Sequence, residues 1–261
     1  MRSNAILAGL AAVAAFAIPI IGVADSHEAP GDLTDVWWVV PKQGMENEFT
    51  EAATAHMAFR KEQGEPRDWN AYRVAIGHKT GVVMFRHCCF DWADQDAYVA
   101  DESLDAIGAD WNDNVHPYVD HYHHYLEKID WETSHWPDDE STEGPYYTAT
   151  SWTWKMGTGP GPNEARKALS TMALENGWAE AGHNWLWISR IGGEPMISVV
   201  WPSADYAGMA QPEPSFFEFI AEQTGSAEEA SAMFTKFGSG LAKEDTTVWK
   251  HDPALSTPSD E

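Results

Sequence analysis

The sequence predicts an α+β chain built from two successive β-α-β-β-α-β units. Three observations predict it. Residues 33–134 and 146–256 can be laid over one another almost end to end. Their closing stretches, HYLEKIDWETS (124–134) and TVWKHDPALS (247–256), share an apolar residue, then a lysine, an aspartate and a serine. An aromatic strand opens each unit, VWWVV (36–40) and WTWKM (152–156). Between these landmarks, runs rich in β-branched and aromatic residues, the mark of strands, alternate with apolar residues spaced three and four apart, the mark of helices.

The elements follow in chain order. Residues 1–24 read as a secretory signal. Arg2 is the only charge before Asp25, 5–21 is almost wholly apolar, and Gly22-Val23-Ala24 supplies the small residues a signal peptidase reads. A bilayer-spanning helix needs about 20 apolar residues, and this run is short and broken by Pro19. Export to the periplasm or beyond is expected, with no membrane association after cleavage. Residues 25–32 (DSHEAPGD) form a polar, mobile lead.

Unit one, 33–134, opens with a strand over 33–40 and the turn PKQG. A helix over 45–62 places Met45, Phe49, Ala52, Ala53, His56 and Phe59 on one face. Strands over 69–77 and 81–90 form a hairpin. Asp94 is a cap candidate for a helix through Tyr98, a second helical stretch covers 104–115, and 121–130 reads as the last strand. Residues 135–145 are an acidic, turn-rich linker.

Unit two, 146–256, repeats the order. Its first strand ends at Met156. GTGPGP (157–162) is a turn, because its glycines alternate and miss the dinucleotide-binding spacing. Asn163 is a plausible cap for a helix with Ala165, Ala168, Leu169, Met172 and Ala173 on one side. Paired strands over 184–191 and 196–201 follow, then helices over 203–209, 215–223 and 227–242, and a last strand over 246–250. The chain from Asp252 is polar and expected to fray, with 257–261 as the tail.

Each unit thus has the ferredoxin-like order. A four-stranded sheet with helices on one side leaves its other face to be covered. In VVPKQGMENEF (39–49), the hairpin and the helix start DWADQDAY (91–98), the chain resembles the dimeric α/β-barrel superfamily. Its members include the antibiotic-biosynthesis monooxygenase-like and stress-responsive barrel domains. The resemblance implies that two such sheets pack face to face, here within one chain as a pseudo-dimeric α/β barrel. It also implies, as an alternative function, cofactor-independent oxidation of a bound aromatic substrate.

Composition narrows the partners. A net charge of −25 argues against nucleic acid and anionic membrane surfaces, which select for Lys and Arg. With 43% hydrophobic residues and 14 tryptophans the chain is too apolar for a solvated coil. Cys88 and Cys89 are adjacent. Across a trans peptide their Cα atoms would lie about 3.8 Å apart, short of the roughly 4.4 Å that disulfides want. Two packed thiols are expected, with a vicinal redox or soft-metal pair with His87 as the alternative.

The candidate site is a ligand pocket on tryptophan-rich sheets. Trp37, Trp38, Trp69 and Tyr72 are matched with Trp152, Trp154, Trp185 and Trp187. The lining residues expected are Trp38, Trp69, Tyr72, Arg73, His87, His123, Tyr125, Trp154 and Trp187, and the ligand a small apolar or aromatic molecule. No cofactor is expected, and self-association is open. Copper or zinc is the further alternative. One site would join His121 and His123, at i and i+2, to His87. Another would use Asp25, Ser26 and His27 at a freshly cut amino terminus. Unit two has Lys243, Asp245 and Thr246 where unit one has His121, His123 and His124.

Overall fold

A computed structural model describes residues 31–136 and 144–258. The signal, the Asp25-Ser26-His27 site and most of the linker lie outside the described residues. The strands are β1 (Leu33–Pro41), β2 (Asn70–Ile76), β3 (Val83–Phe90), β4 (Val119–Ile129), β5 (Tyr146–Trp154), β6 (Leu186–Ile191), β7 (Met196–Ser203) and β8 (Leu241–His251). The helices are α1 (Glu46–Glu62), α2 (Trp92–Ala100), α3 (Asp105–Asp110), α4 (Gly161–Glu175), α5 (Phe216–Thr224) and α6 (Ala227–Gly238).

The strands close into one antiparallel barrel in the order β1-β3-β2-β8-β5-β7-β6-β4. Read around the circle, the first half supplies β4-β1-β3-β2 and the second β8-β5-β7-β6. The relative order is the same. The halves join at two seams, β2 with β8 and β4 with β6.

The repeated closing pattern lies at these seams and makes the same bonds twice. Ser134 Oγ donates to the Asp130 carbonyl and accepts from the Trp187 amide on β6. Ser256 Oγ donates to the Asp252 carbonyl and accepts from the Ala71 amide on β2. The Asp130 amide donates to the Trp187 carbonyl, and the Asp252 amide to that of Ala71. His135 then donates to Trp185 as Thr257 does to Trp69. Each half therefore ends by clasping a strand of the other.

Helices pack on the outer face of the barrel. Around α1 the buried cluster includes Val39, Phe49, Ala53, Met57, Phe85 and Val115. Around α4, α5 and α6 it includes Leu169, Trp187, Ile197, Phe219, Ile220 and Phe237. Side chains alternate along a strand, so the residues between these point into the barrel. Trp38 establishes the inner face. Its ring centroid lies 5.7 Å from that of Trp249 on β8, three strands away around the circle, a contact that only the interior allows.

Several expectations are corrected. Asp91, not Asp94, caps α2; its carboxylate accepts from the Ala93 and Asp94 amides, and Asp94 answers as the second half of a capping box. Asn163 caps nothing and instead accepts from Arg166 Nε. Residues 203–209 hold only a 3-10 turn, Ala207–Met209. β8 begins at Leu241, inside the expected helix, because pairing with β5 along its length outweighs helical periodicity there. The chain after Asp252 is docked, with Leu255 fully buried. Cys88 and Cys89 are joined as a vicinal disulfide within β3. Their peptide is cis, so the trans spacing assumed from sequence does not apply. Among the described residues, no helix is long and apolar enough to cross a membrane.

Candidate functional site at the mouth of the barrel

Register decides which of the expected pocket residues meet. Trp38 pairs with His123 on one side and Met84 on the other, and Val36 with Tyr125 and Arg86. These residues, with Tyr72, face inward. Trp69, Arg73, His87, Trp154 and Trp187 face outward beneath the helices. Trp69 and Trp187 are spent on core packing, their Nε1 atoms donating to Glu65 and to Ser170. Trp154 packs on Phe237. Arg73 binds Asp252 and Thr50. His87 donates from Nδ1 to the Asp68 carbonyl, and burial lowers its pKa below the ordinary histidine value. The single pocket expected from sequence thus divides between two faces, because a period-two alternation cannot be placed without the strand boundaries.

The register also corrects the tryptophan matching. At the level of Trp38, Met84 and His123 the second half carries Ser151, Ser198 and Asp245. Ser151 and Ser198 are small and bond each other at 2.8 Å. Trp185 does match Trp69, as the seam bonds show.

The Trp38 indole lies inside the barrel among other rings. Its neighbours are Tyr125 at 5.6 Å and His123 at 6.3 Å between ring centroids. Two cations approach the same indole, Arg190 and Lys79, each 5.1 Å from its centroid. The Arg190 guanidinium also lies 4.0 Å from the Tyr125 ring. Lys79 is held by Asp245, which His78 also reaches. His121 and His123 stand edge to face, 5.2 Å apart, and both are exposed. This end of the barrel therefore carries exposed imidazoles, with aromatic rings further in.

The histidines do not converge on a metal. His87 lies on the opposite face of the sheet from His121 and His123. Among the described residues, no group of three His, Cys, Asp or Glu side chains is arranged to hold an ion. His121 Nδ1 is instead 2.7 Å from its neighbour Asp120.

A concavity lies elsewhere, on the outer side of the barrel. A groove of about 580 Å³ runs along α1, lined by Glu48, Glu51, His56, Phe59, Asp110 and Tyr118. At its end α3 passes into a π-helical turn, Trp111–Val115, a rare geometry met often at functional sites. His56 is 1% exposed. Its Nε2 accepts from Arg60 Nε at 2.8 Å, and Arg can only donate, so Nδ1 carries the proton and donates to Asp110 at 2.7 Å. Burial lowers the His56 pKa, more than the hydrogen bond to Asp110 raises it, which agrees with a neutral ring. The chain of bonds continues through Arg60 to Glu65, which also accepts from the Tyr98 hydroxyl at 2.5 Å. Burial first, then Glu65, pushes the Tyr98 pKa up to about 12. A histidine on the apolar face of a predicted helix was the available signal.

No family model matches this chain, and no curated protein does. Solved structures of similar shape include an anthrone oxidase-like protein, at 10% identity over 87% of this chain and 94% of that one, with a TM-score of 0.49. A heme-binding protein from Thermus thermophilus gives 12% identity, 86% and 92% coverage and a TM-score of 0.45. A mutant chlorite dismutase from Candidatus Nitrospira defluvii gives 10%, 85% and 92%, and 0.46. Likeness at this level is one of overall shape, and neither activity nor cofactor is taken from it. Heme iron would need an axial side chain such as His, Cys, Met or Tyr. His56 has both ring nitrogens engaged in a groove lined with carboxylates, so the residues there do not fit that group.

Proposed function

We propose that this chain is an exported, duplicated ferredoxin-like module whose closed barrel binds one small aromatic ligand at its imidazole-bearing end. The observation that carries the reading is the inward ring cluster of Trp38, Tyr125, His123 and Trp249 beneath an exposed imidazole rim. An eight-stranded barrel is wide enough for its own side chains or one small ligand, so a single-ring compound is the natural size. Rings already present offer edge and face contacts of about 0.5–1.5 kcal/mol each beyond area burial. Duplication is supported by the equal strand order of the halves and by their matching seam bonds. Export is supported by the apolar, small-residue leader.

Titration with phenols and quinols, followed by tryptophan fluorescence, tests the binding. A saturable change is expected in the native protein and in Trp92→Ala, which removes an exposed indole on α2. It should vanish in Trp38→Ala with the circular dichroism intact. A response that survives in Trp38→Ala would overturn the reading. Oxygen uptake with the same panel distinguishes plain binding from oxidative chemistry.

A further inference from the structure

We infer that the ligand of this barrel carries a carboxylate, which enters toward Arg86 and Arg190; the inference rests on the aromatic-ligand reading and names its class. Among the described residues, four buried side-chain polar atoms have no protein hydrogen-bond partner. They are Thr34 Oγ1, Trp38 Nε1, Arg86 Nη2 and Arg190 Nε. All four belong to inward-facing residues. Three of them can only donate, and the fourth is a hydroxyl that can. Such groups are rare in native interiors, and each calls for an account.

Register places them together. Thr34 pairs with Glu127, Glu127 with Arg190, and Val36 with Arg86, so the groups occupy adjacent inward layers. Same-face residues on a strand lie about 6.7 Å apart. The one acid in this layer does not satisfy the donors. Glu127 Oε1 is 3.9 Å from Arg190 Nη2, beyond hydrogen-bond range. Burial pushes the Glu127 pKa up, against the pull of Arg190 and Arg86. Two guanidiniums thus face a single carboxyl inside a strongly acidic protein. The Arg190 side chain is only 9% exposed and lies against the Trp38 and Tyr125 rings. An anion alone would leave those rings unused, and a neutral ring would leave the donors unmet. An aromatic carboxylate meets both.

The test compares benzoate with benzyl alcohol by calorimetry and tryptophan fluorescence, on the native protein, Arg190→Gln and Glu127→Gln. Benzoate is expected to bind at least about tenfold more tightly than benzyl alcohol, the effect of charge-assisted hydrogen bonds. Arg190→Gln should erase that preference, bringing benzoate down to about the affinity of benzyl alcohol. Glu127→Gln should tighten benzoate several-fold by removing the competing carboxyl. Equal affinity for the two compounds, or no tightening in Glu127→Gln, overturns the carboxylate inference and leaves the aromatic-ligand reading standing. Failure of both compounds to bind overturns the two together.

Discussion

Ser134 and Ser256 should cost the protein the same stability when replaced by alanine. Each hydroxyl sits at a seam, accepts one backbone amide at 2.9 Å and donates to the carbonyl four residues back; Ser256 Oγ also lies 3.1 Å from His251 Nε2. The amides served, on Trp187 and Ala71, belong to residues 8% and 0% exposed. Water would therefore not replace the lost acceptor. A buried orphan donor costs about 1–3 kcal/mol, so each single substitution should cost about 2 kcal/mol. The serines lie at different seams and share no partner, so the double variant should lose about 4 kcal/mol, the sum within about 0.5 kcal/mol. Urea denaturation at unchanged m-value reads both quantities. Each single change should lower the melting temperature by about 4–8 °C. A difference above about 1 kcal/mol between the singles, or a loss below about 0.5 kcal/mol in either, would refute the claim that the repeated aspartate–serine pattern performs one job twice.

Arg166→Met removes a 2%-exposed side chain bonded to Asp130, Thr133 and Asn163. Breaking a buried pair costs about 3–5 kcal/mol, but Asp130 is partly exposed and Lys167 lies 3.9 Å away, so the low end is expected in urea titration; a loss under about 1 kcal/mol would contradict this account. His56 has its folded pKa lowered by burial. Its contribution is fully present above the unfolded value of about 6.5 and falls away as pH drops below it. The denaturation midpoint should therefore decline between pH 7 and 5, and less steeply in His56→Asn; an unchanged slope in that variant would count against a neutral buried ring. Finally, intact mass of protein exported by its own leader should begin at Asp25, and retention of residues 1–24 would remove the cleavage proposal.

How much was legible from sequence varies by element. β1, α1 and the hairpin of β2 and β3 were readable because each carries its own local signal: β-branched runs, a helical apolar stripe and turn residues. The α2 cap was misplaced by three residues because Asp91 and Asp94 are both capping types, and only backbone geometry separates Ncap from N3. β8 was read too short because Leu241 to Asp245 owe their strand state to pairing with β5. The pocket list mixed two faces because Trp69, Arg73 and His87 alternate with inward residues, and an error of one position inverts a strand. His56 was placed on the right helix face, but Asp110 and Arg60 reach it only through packing.

The amino-acid sequence by itself determined the composition of this protein and the local identity of most strands and helices, since the latter depends on neighbours within a few positions. It also contained the aspartate–serine pattern whose two copies close the seams. Tertiary structure alone decided which aromatics share the interior. It decided that Ser151 and Ser198 stand at the level of Trp38, and that, among the described residues, four buried polar atoms on inward-facing residues of three strands have no protein hydrogen-bond partner. Those facts arise from register and closure around a circle, where residues more than a hundred positions apart become neighbours and no local signal records the meeting.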